Sequence, residues 1–301
     1  MLVFFDQLNP CLVGIEACGS SHYWSRELQK RGHQVRLIAP QHVKPYVKGN
    51  KNDANDAAAI CEAVSRPGMN FVATKTIKQQ DMQATDRIHS ELVKQRTAKS
   101  NQIRGLLAEY GIVVARQIGK LRRAIPEILE DAENGLTSQL RRLLSGLQAD
   151  LIQLGNRAKE IKVQIQRQGS ENEAAQRLQQ IPGIGPITAT ALICTIGNGT
   201  QFQRGRDMAA SIGLVPRQHS SGGKNRLLGI SKRGNAHLRT LLIHGARAVL
   251  QATKHKDDPR SRWLKTLSER RNKNIAAVAL ANKNARIAWA LLTNKQDYQP
   301  A

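Results

Sequence analysis

The chain has 301 residues, 40% of them hydrophobic, with 46 Lys and Arg against 23 Asp and Glu for a net charge of +23. That length and apolar content support about two domains with cores of their own and exclude global disorder, while a cationic excess spread along the chain points to a polyanionic partner. No apolar run approaches the ~20 residues that span a bilayer and no secretory signal opens the chain, so no membrane-spanning helix and a cytoplasmic protein are expected.

Cys11, Cys18, Cys61 and Cys194 lack CxxC spacing and suggest neither a zinc cage nor a disulfide framework. Aromatic residues are only 4%, which favours contacts with backbone phosphates over base stacking.

In chain order, Met1 to Leu8 reads as the last turns of a helix. Cys11 to Glu16 then forms a short apolar strand ending on a carboxylate, followed by a helix capped by Ser20 or Ser21 that runs through Leu28 and stops at Gly32. Gln34 to Ile38 is a second strand. A right-handed crossover makes the two strands parallel and sets Glu16 at the carboxyl edge of the sheet, where open α/β folds hold their ligands. Asp53 and Asp56 open the next helix. As N-cap and third-position acid they fit a capping box; pointed at Glu16, they also fit an all-oxygen site for Mg²⁺ or Mn²⁺.

Ile77 to Tyr110 predicts a long helix bearing Arg87, Lys94, Arg96, Lys99 and Arg104 and ending at Gly111. Leu140, Leu144, Leu147, Leu151, Leu154, Ala158, Ile161 and Ile165 form an a/d seam. It predicts a coiled coil, either within the chain or between two copies, so a dimer is expected. Leu178 to Leu192, with Ile-Pro-Gly-Ile-Gly at its centre, has the form of a helix-hairpin-helix. Gly183 and Gly185 would aim N–H groups at a phosphate; an ordinary turn between helices is the alternative. Three further helices are expected, over Ala236 to Leu250, in the basic cluster Arg260 to Asn274, and over the Ala-rich Ile275 to Leu292.

Between these helices, Gly213 to Asn235 contains Ser220, Ser221, Gly222 and Gly223 with Arg217, Lys224, Arg226, Lys232 and Arg233, and has no acid. It reads as a phosphate site, with hydroxyls, approachable backbone and counter-charge together. A Gly/Ser turn with a solvated basic rim is the alternative.

Taken in order, Gly14-Ile-Glu16, Lys51 to Ala57, Ile181 to Gly185 and the Gly213 to Asn235 segment resemble the DEDD-motif insertion-sequence transposases, a family that also includes pilin-gene invertases. The resemblance, with the elements above, implies three parts: an incomplete RuvC-like ribonuclease-H-fold domain over 1–112 with a long basic helix, a helical coiled-coil linker over 113–177, and a mainly helical serine transposase domain over 178–301 with the helix-hairpin-helix. The fold class expected is therefore α/β plus all-α. Three of the family's four metal-binding acids map to Glu16, Asp53 and Asp56, and its serine nucleophile maps to Ser221, with Ser220 the alternative. The first acid would lie upstream of Glu16; Asp6 does not substitute for it, and the chain reads as truncated there. Also implied are Mg²⁺ or Mn²⁺, DNA, a guide RNA, and assembly as homodimers or homotetramers. The function expected is DNA strand cutting and rejoining, with a catalytically dead nucleic-acid-binding remnant or regulator as the rival.

Overall fold

The computed structural model describes residues 1–50 and 52–300. It contains two compact units, Met1–Asp81 with Asn172–Ala301, and Met82–Glu171.

The first unit begins with α1 (Leu2–Asp6), β1 (Leu12–Glu16), α2 (Ser21–Lys30), β2 (Gln34–Ile38), α3 (Pro40–Val43), α4 (Asp53–Ser65) and β3 (Phe71–Val72). The β-α-β unit forms as expected, with β1 and β2 parallel from Leu12↔Gln34 to Glu16↔Ile38. β3 adds an antiparallel third strand beside β2, leaving β1 at the sheet edge. At two residues β3 is too short to show alternation in sequence. Ile38, Val43, Ala59, Ala63 and Val64 are the buried residues beneath this sheet. α4 lies close against β1 because Gly14 has no side chain: a Cβ there would meet Ile60 Cγ2 at 2.9 Å and Val64 Cβ at 3.1 Å.

Helix α5 (Ile77–Ala108) leaves the first unit and enters the second, which adds α6 (Ile118–Glu130) and α7 (Ser138–Ser170). Leu107 accepts the Ile112 amide at 3.0 Å beside the left-handed Gly111, which ends α5 as the sequence suggests. α5 and α7 run antiparallel, since Lys99 pairs with Asp150 at 3.0 Å while Gln168 near the end of α7 donates to Thr85 near the start of α5 at 3.4 Å. The heptad seam is occupied within the chain: Leu140, Leu144 and Leu151 are buried against Ile103 and Leu107 of α5 and Leu121 and Ile125 of α6. Burying each such leucine contributes about 1.5–3 kcal/mol, which the helices of one chain already supply. The seam therefore gives no ground for a coiled coil between copies.

The first unit resumes with α8 (Glu173–Gln179), α9 (Pro186–Ile196), α10 (Gly205–Ser211), β4 (Pro216–Gln218), β5 (Leu227–Ile230), α11 (Ala236–Ala252), α12 (Pro259–Arg270) and α13 (Lys273–Asn294). Leu178, Ile184, Leu192, Met208, Leu238, Leu242 and Leu280 belong to its large apolar core. The small residues of α13, among them Ala277, Ala281, Ala285 and Ala288, let α10 and α11 approach it closely. The architecture is mostly helical with two small sheets, and among the described residues no helix is long and apolar enough to cross a membrane.

Candidate functional site

The segment read as a Gly/Ser loop is a β-hairpin clamped at its base. Gly213 and Gly234 both adopt positive φ, +78° and +71°. A Cβ on Gly234 would run into the Ser211 carbonyl, and one on Gly213 into the backbone of Arg233. Arg239, in the first turn of α11, donates from Nη1 to the carbonyls of Ile212 at 2.7 Å and Arg233 at 2.8 Å, tying the two ends of the segment together. Asn235 caps α11 through the Leu238 amide at 3.0 Å. The sequence reading did not single out Arg239; a cation four residues after the Gly-Asn pair was the available signal.

Above this base, every residue from Pro216 to Gly229 is exposed. Gly222 and Gly223, at φ +54° and +75°, form the two-residue turn, and the Lys224 amide donates to the Ser221 carbonyl at 3.0 Å. Two successive positive φ values are what a type I′ hairpin turn requires, and glycine adopts them without a Cβ penalty. The register is continuous from Gln218↔Leu227 to Ser221↔Lys224, with the His219 amide donating to Arg226 at 3.0 Å between them. Alternation about that register gives the ribbon two unlike faces. One carries His219, Ser221, Lys224 and Arg226, with Arg217 following at the β-bulge; the other carries Gln218, Ser220, Asn225 and Leu227.

The two serines therefore lie on opposite faces. The Ser220 hydroxyl accepts from Gln218 Nε2 at 2.8 Å and from the Arg226 amide at 3.4 Å, bracing the hairpin. Among the described residues nothing engages the Ser221 hydroxyl, and the side chains of Arg217, Lys224, Arg226, Lys232 and Arg233 make no ion pair or hydrogen bond. Lys232 holds a left-handed backbone, φ +55°, where its amide donates to Gly213.

Other cations are already engaged. Arg104 of the basic helix donates to the carbonyls of Ala115 and Arg116, fastening the chain that follows α5. Arg141 donates to the carbonyls of Ile128, Leu129, Asp131 and Leu136 and to Asn134 Oδ1, so its charge sits on the carboxyl end of α6. Such arginines count in the composition yet are turned toward the protein.

The candidate acids belong to the β-α-β part of the first unit. Glu16 closes β1, and its backbone carbonyl accepts the Cys18 amide at 2.8 Å. The α4 helix is capped by Asn52, whose Oδ1 accepts the Asn55 amide at 2.7 Å, so the expected capping role of Asp53 is corrected: it is the first helical residue. Asn52 takes the cap because its extended backbone, φ −154°, lets its side chain turn back onto the helix. Asp53, Asp56, Ile60 and Val64 follow helical spacing, and Ile60 and Val64 press on Gly14, two residues before Glu16 on the same strand face. The carboxylate donors suit a hard dication in kind. Among the described residues, however, no group of three or more His, Cys, Asp or Glu is close enough to hold an ion. The expected three-acid centre is thus not assembled.

The Ile-Pro-Gly-Ile-Gly turn does join two helices, α8 and α9, with Ile181 and Ile184 buried. Its two glycines differ. Gly183, at φ +94°, is packed on the backbone of Gly245 in α11, and a Cβ would meet the Gly245 carbonyl at 3.0 Å. Gly185 faces open space.

Residues 4–112 match the family model of a DEDD-type IS110 transposase domain, and residues 175–261 match that of the IS116/IS110/IS902 transposase family. The chain is 52% identical over 298 residues to the "Probable family 20 transposase" of Pseudomonas aeruginosa, covering 99% of this chain and 88% of the relative. It is 52% identical to the transposase of insertion sequence element IS1111A of Coxiella burnetii, over 96% of this chain and 79% of that protein. Identity to the IS1328 transposase of Yersinia enterocolitica is 44%, over 96% and 86%.

Proposed function

The chain belongs to the IS116/IS110/IS902 family of insertion-sequence transposases, whose work is DNA transposition, and we propose that it cuts and rejoins DNA with Ser221 as the nucleophile. The observation that carries this reading is the hairpin register: it sets Ser221 on the ribbon face of Lys224 and Arg226, while the Ser220 hydroxyl is occupied on the other face. Cations on that face would stabilise the charge that builds on an attacked phosphate. A phosphoserine bond would keep the energy of the broken phosphodiester for rejoining, which hydrolysis would discard. Arg217, Lys232 and Arg233 extend the basic surface, and Gly185, whose side is open, is the better candidate of its pair to admit a phosphate.

Glu16, Asp53 and Asp56 are the residues that would hold Mg²⁺ or Mn²⁺ in a RuvC-like domain; bound there, the ion would supply Lewis-acid stabilisation of phosphate charge. Nothing in the serine chemistry above is routed through it. A guide RNA and assembly as homodimers or homotetramers are proposed on the family resemblance alone.

The test is covalent capture. With DNA carrying the element's ends, the unmutated chain should give a denaturation-resistant protein–DNA adduct. Ser221→Ala should abolish it and leave binding intact; an adduct that survives in Ser221→Ala and disappears in Ser220→Ala would transfer the role to Ser220. Binding itself should be dominated by phosphates: with ~6–10 neutralised, affinity should fall about 10³- to 10⁵-fold between 50 and 200 mM salt. The second reading, a chain that binds DNA without cutting it, predicts steep salt dependence with no adduct.

A further inference from the structure

We propose that His219 is the general base and acid that serves Ser221. This rests on Ser221 being the nucleophile.

A serine hydroxyl attacking phosphorus must lose its proton, and the departing deoxyribose oxygen must gain one. The surroundings of Ser221 narrow the choice of carrier. From Gly213 to Asn235 there is no Asp or Glu, so a carboxylate base is absent from the segment. The titratable and charged side chains on the Ser221 face are His219, Lys224, Arg226 and, at the bulge, Arg217. The guanidinium groups of Arg226 and Arg217 and the ammonium group of Lys224 are donors with no accepting lone pair. Of these side chains only the His219 imidazole pairs a lone-pair nitrogen with an N–H, so it alone can both take up and return a proton.

Geometry places it well. Residues i and i+2 of a strand share a face about 6.5–7 Å apart, within reach of an imidazole. The continuous register from Gln218↔Leu227 to Ser221↔Lys224 assigns His219 and Ser221 to one face, and the His219 amide bond to Arg226 fixes its backbone. Its ring is exposed, and among the described residues neither ring nitrogen has a partner. The contrast with His33 is plain: that ring is buried and fixed between the Cys11 amide and the Phe5 carbonyl.

The step balances as follows. The Ser221 hydroxyl proton passes to the free imidazole nitrogen as Oγ forms its bond to phosphorus. The phosphorus–oxygen bond to the departing deoxyribose breaks, and that oxygen takes the proton from the imidazolium. His219 ends neutral, ready to run the sequence in reverse when the strand is rejoined.

Adduct formation on DNA carrying the element's ends tests this with the full chain. His219→Gln should slow it by about 10²- to 10⁴-fold at pH 7, leave DNA affinity within about twofold, and narrow the deficit as pH rises. Added imidazole should restore part of the rate in His219→Gln and none in Ser221→Ala. A full rate in His219→Gln, a rate loss matched by lost binding, or an unchanged pH profile without imidazole rescue would each overturn the proposal. No adduct from the unmutated chain, or adduct surviving in Ser221→Ala, would instead remove the reading beneath it, so the two failures are distinguishable.

Discussion

The base and the tip of the Gly213 to Asn235 segment are built on opposite principles. At the base, backbone meets backbone with no room for a methyl group, and Nη1 of Arg239 donates to two carbonyls. At the tip, six consecutive residues from His219 to Lys224 are exposed, and among the described residues the nearby cations make no ion pair or side-chain hydrogen bond. A two-stranded ribbon with both faces wet has little core, so its order must come from its turn and its anchorage. The difference separates two uses of the same residue types: glycine for close approach below and for turn geometry above, arginine for carbonyls below and for phosphate above.

Substitutions should divide along that line. Gly234→Ala should act most strongly, since a methyl group meets the Ser211 carbonyl at a left-handed backbone position; a loss of about 3 kcal/mol in chemical unfolding is expected. A neutral result would mean that the base can shift. Arg239→Met should cost about 2 kcal/mol by stranding two carbonyls, with DNA affinity falling only as the hairpin loosens. If it weakened binding with stability unchanged, Arg239 would be a DNA contact and the inward assignment would fail. At the tip, Lys224→Ala and Arg226→Ala should each stay within about 0.5 kcal/mol in stability while lowering the salt slope of DNA binding by about 1. Gly222→Asn should be the mildest, within a few tenths of a kcal/mol, because asparagine tolerates the left-handed backbone of a type I′ turn. Unfolding midpoints and salt titrations on these five variants read all of these outcomes.

What the sequence made legible follows from the range over which each pattern acts. The parallel pair β1 and β2, the end of α5 at Gly111 and the start of α11 were visible because capping residues, glycines and apolar runs act within a few positions. The hairpin was not: Leu227 and Leu228 are its only aliphatic pair near the tip, and a ribbon exposed on both faces leaves no alternation to find. The role of Asp53 was misjudged because Asn52 and Asp53 are both good caps, and the choice between them rests on one backbone dihedral. The seam of α7 was correct as a pattern and ambiguous as to partner, since Ile103 and Leu121 satisfy it as well as a second copy would. For the candidate site, the residue types were readable. The separation of the two serines onto opposite faces was not, because it depends on a register that only the paired strands define.

The exposure of the hairpin also bears on how the chain responds to being cut. Arg217, Lys224 and Arg226 offer a trypsin-like protease its preferred bonds on accessible backbone, while both flanks, Leu214 before the ribbon and Leu238 after it, are buried in the helical core. A nick at the tip would therefore leave two fragments held together by that core. By the same reasoning the Gly222–Gly223 bond is a permissive place for new termini: a circular permutant opened there should fold, with Ser221 at its carboxyl end and Lys224 near its amino end.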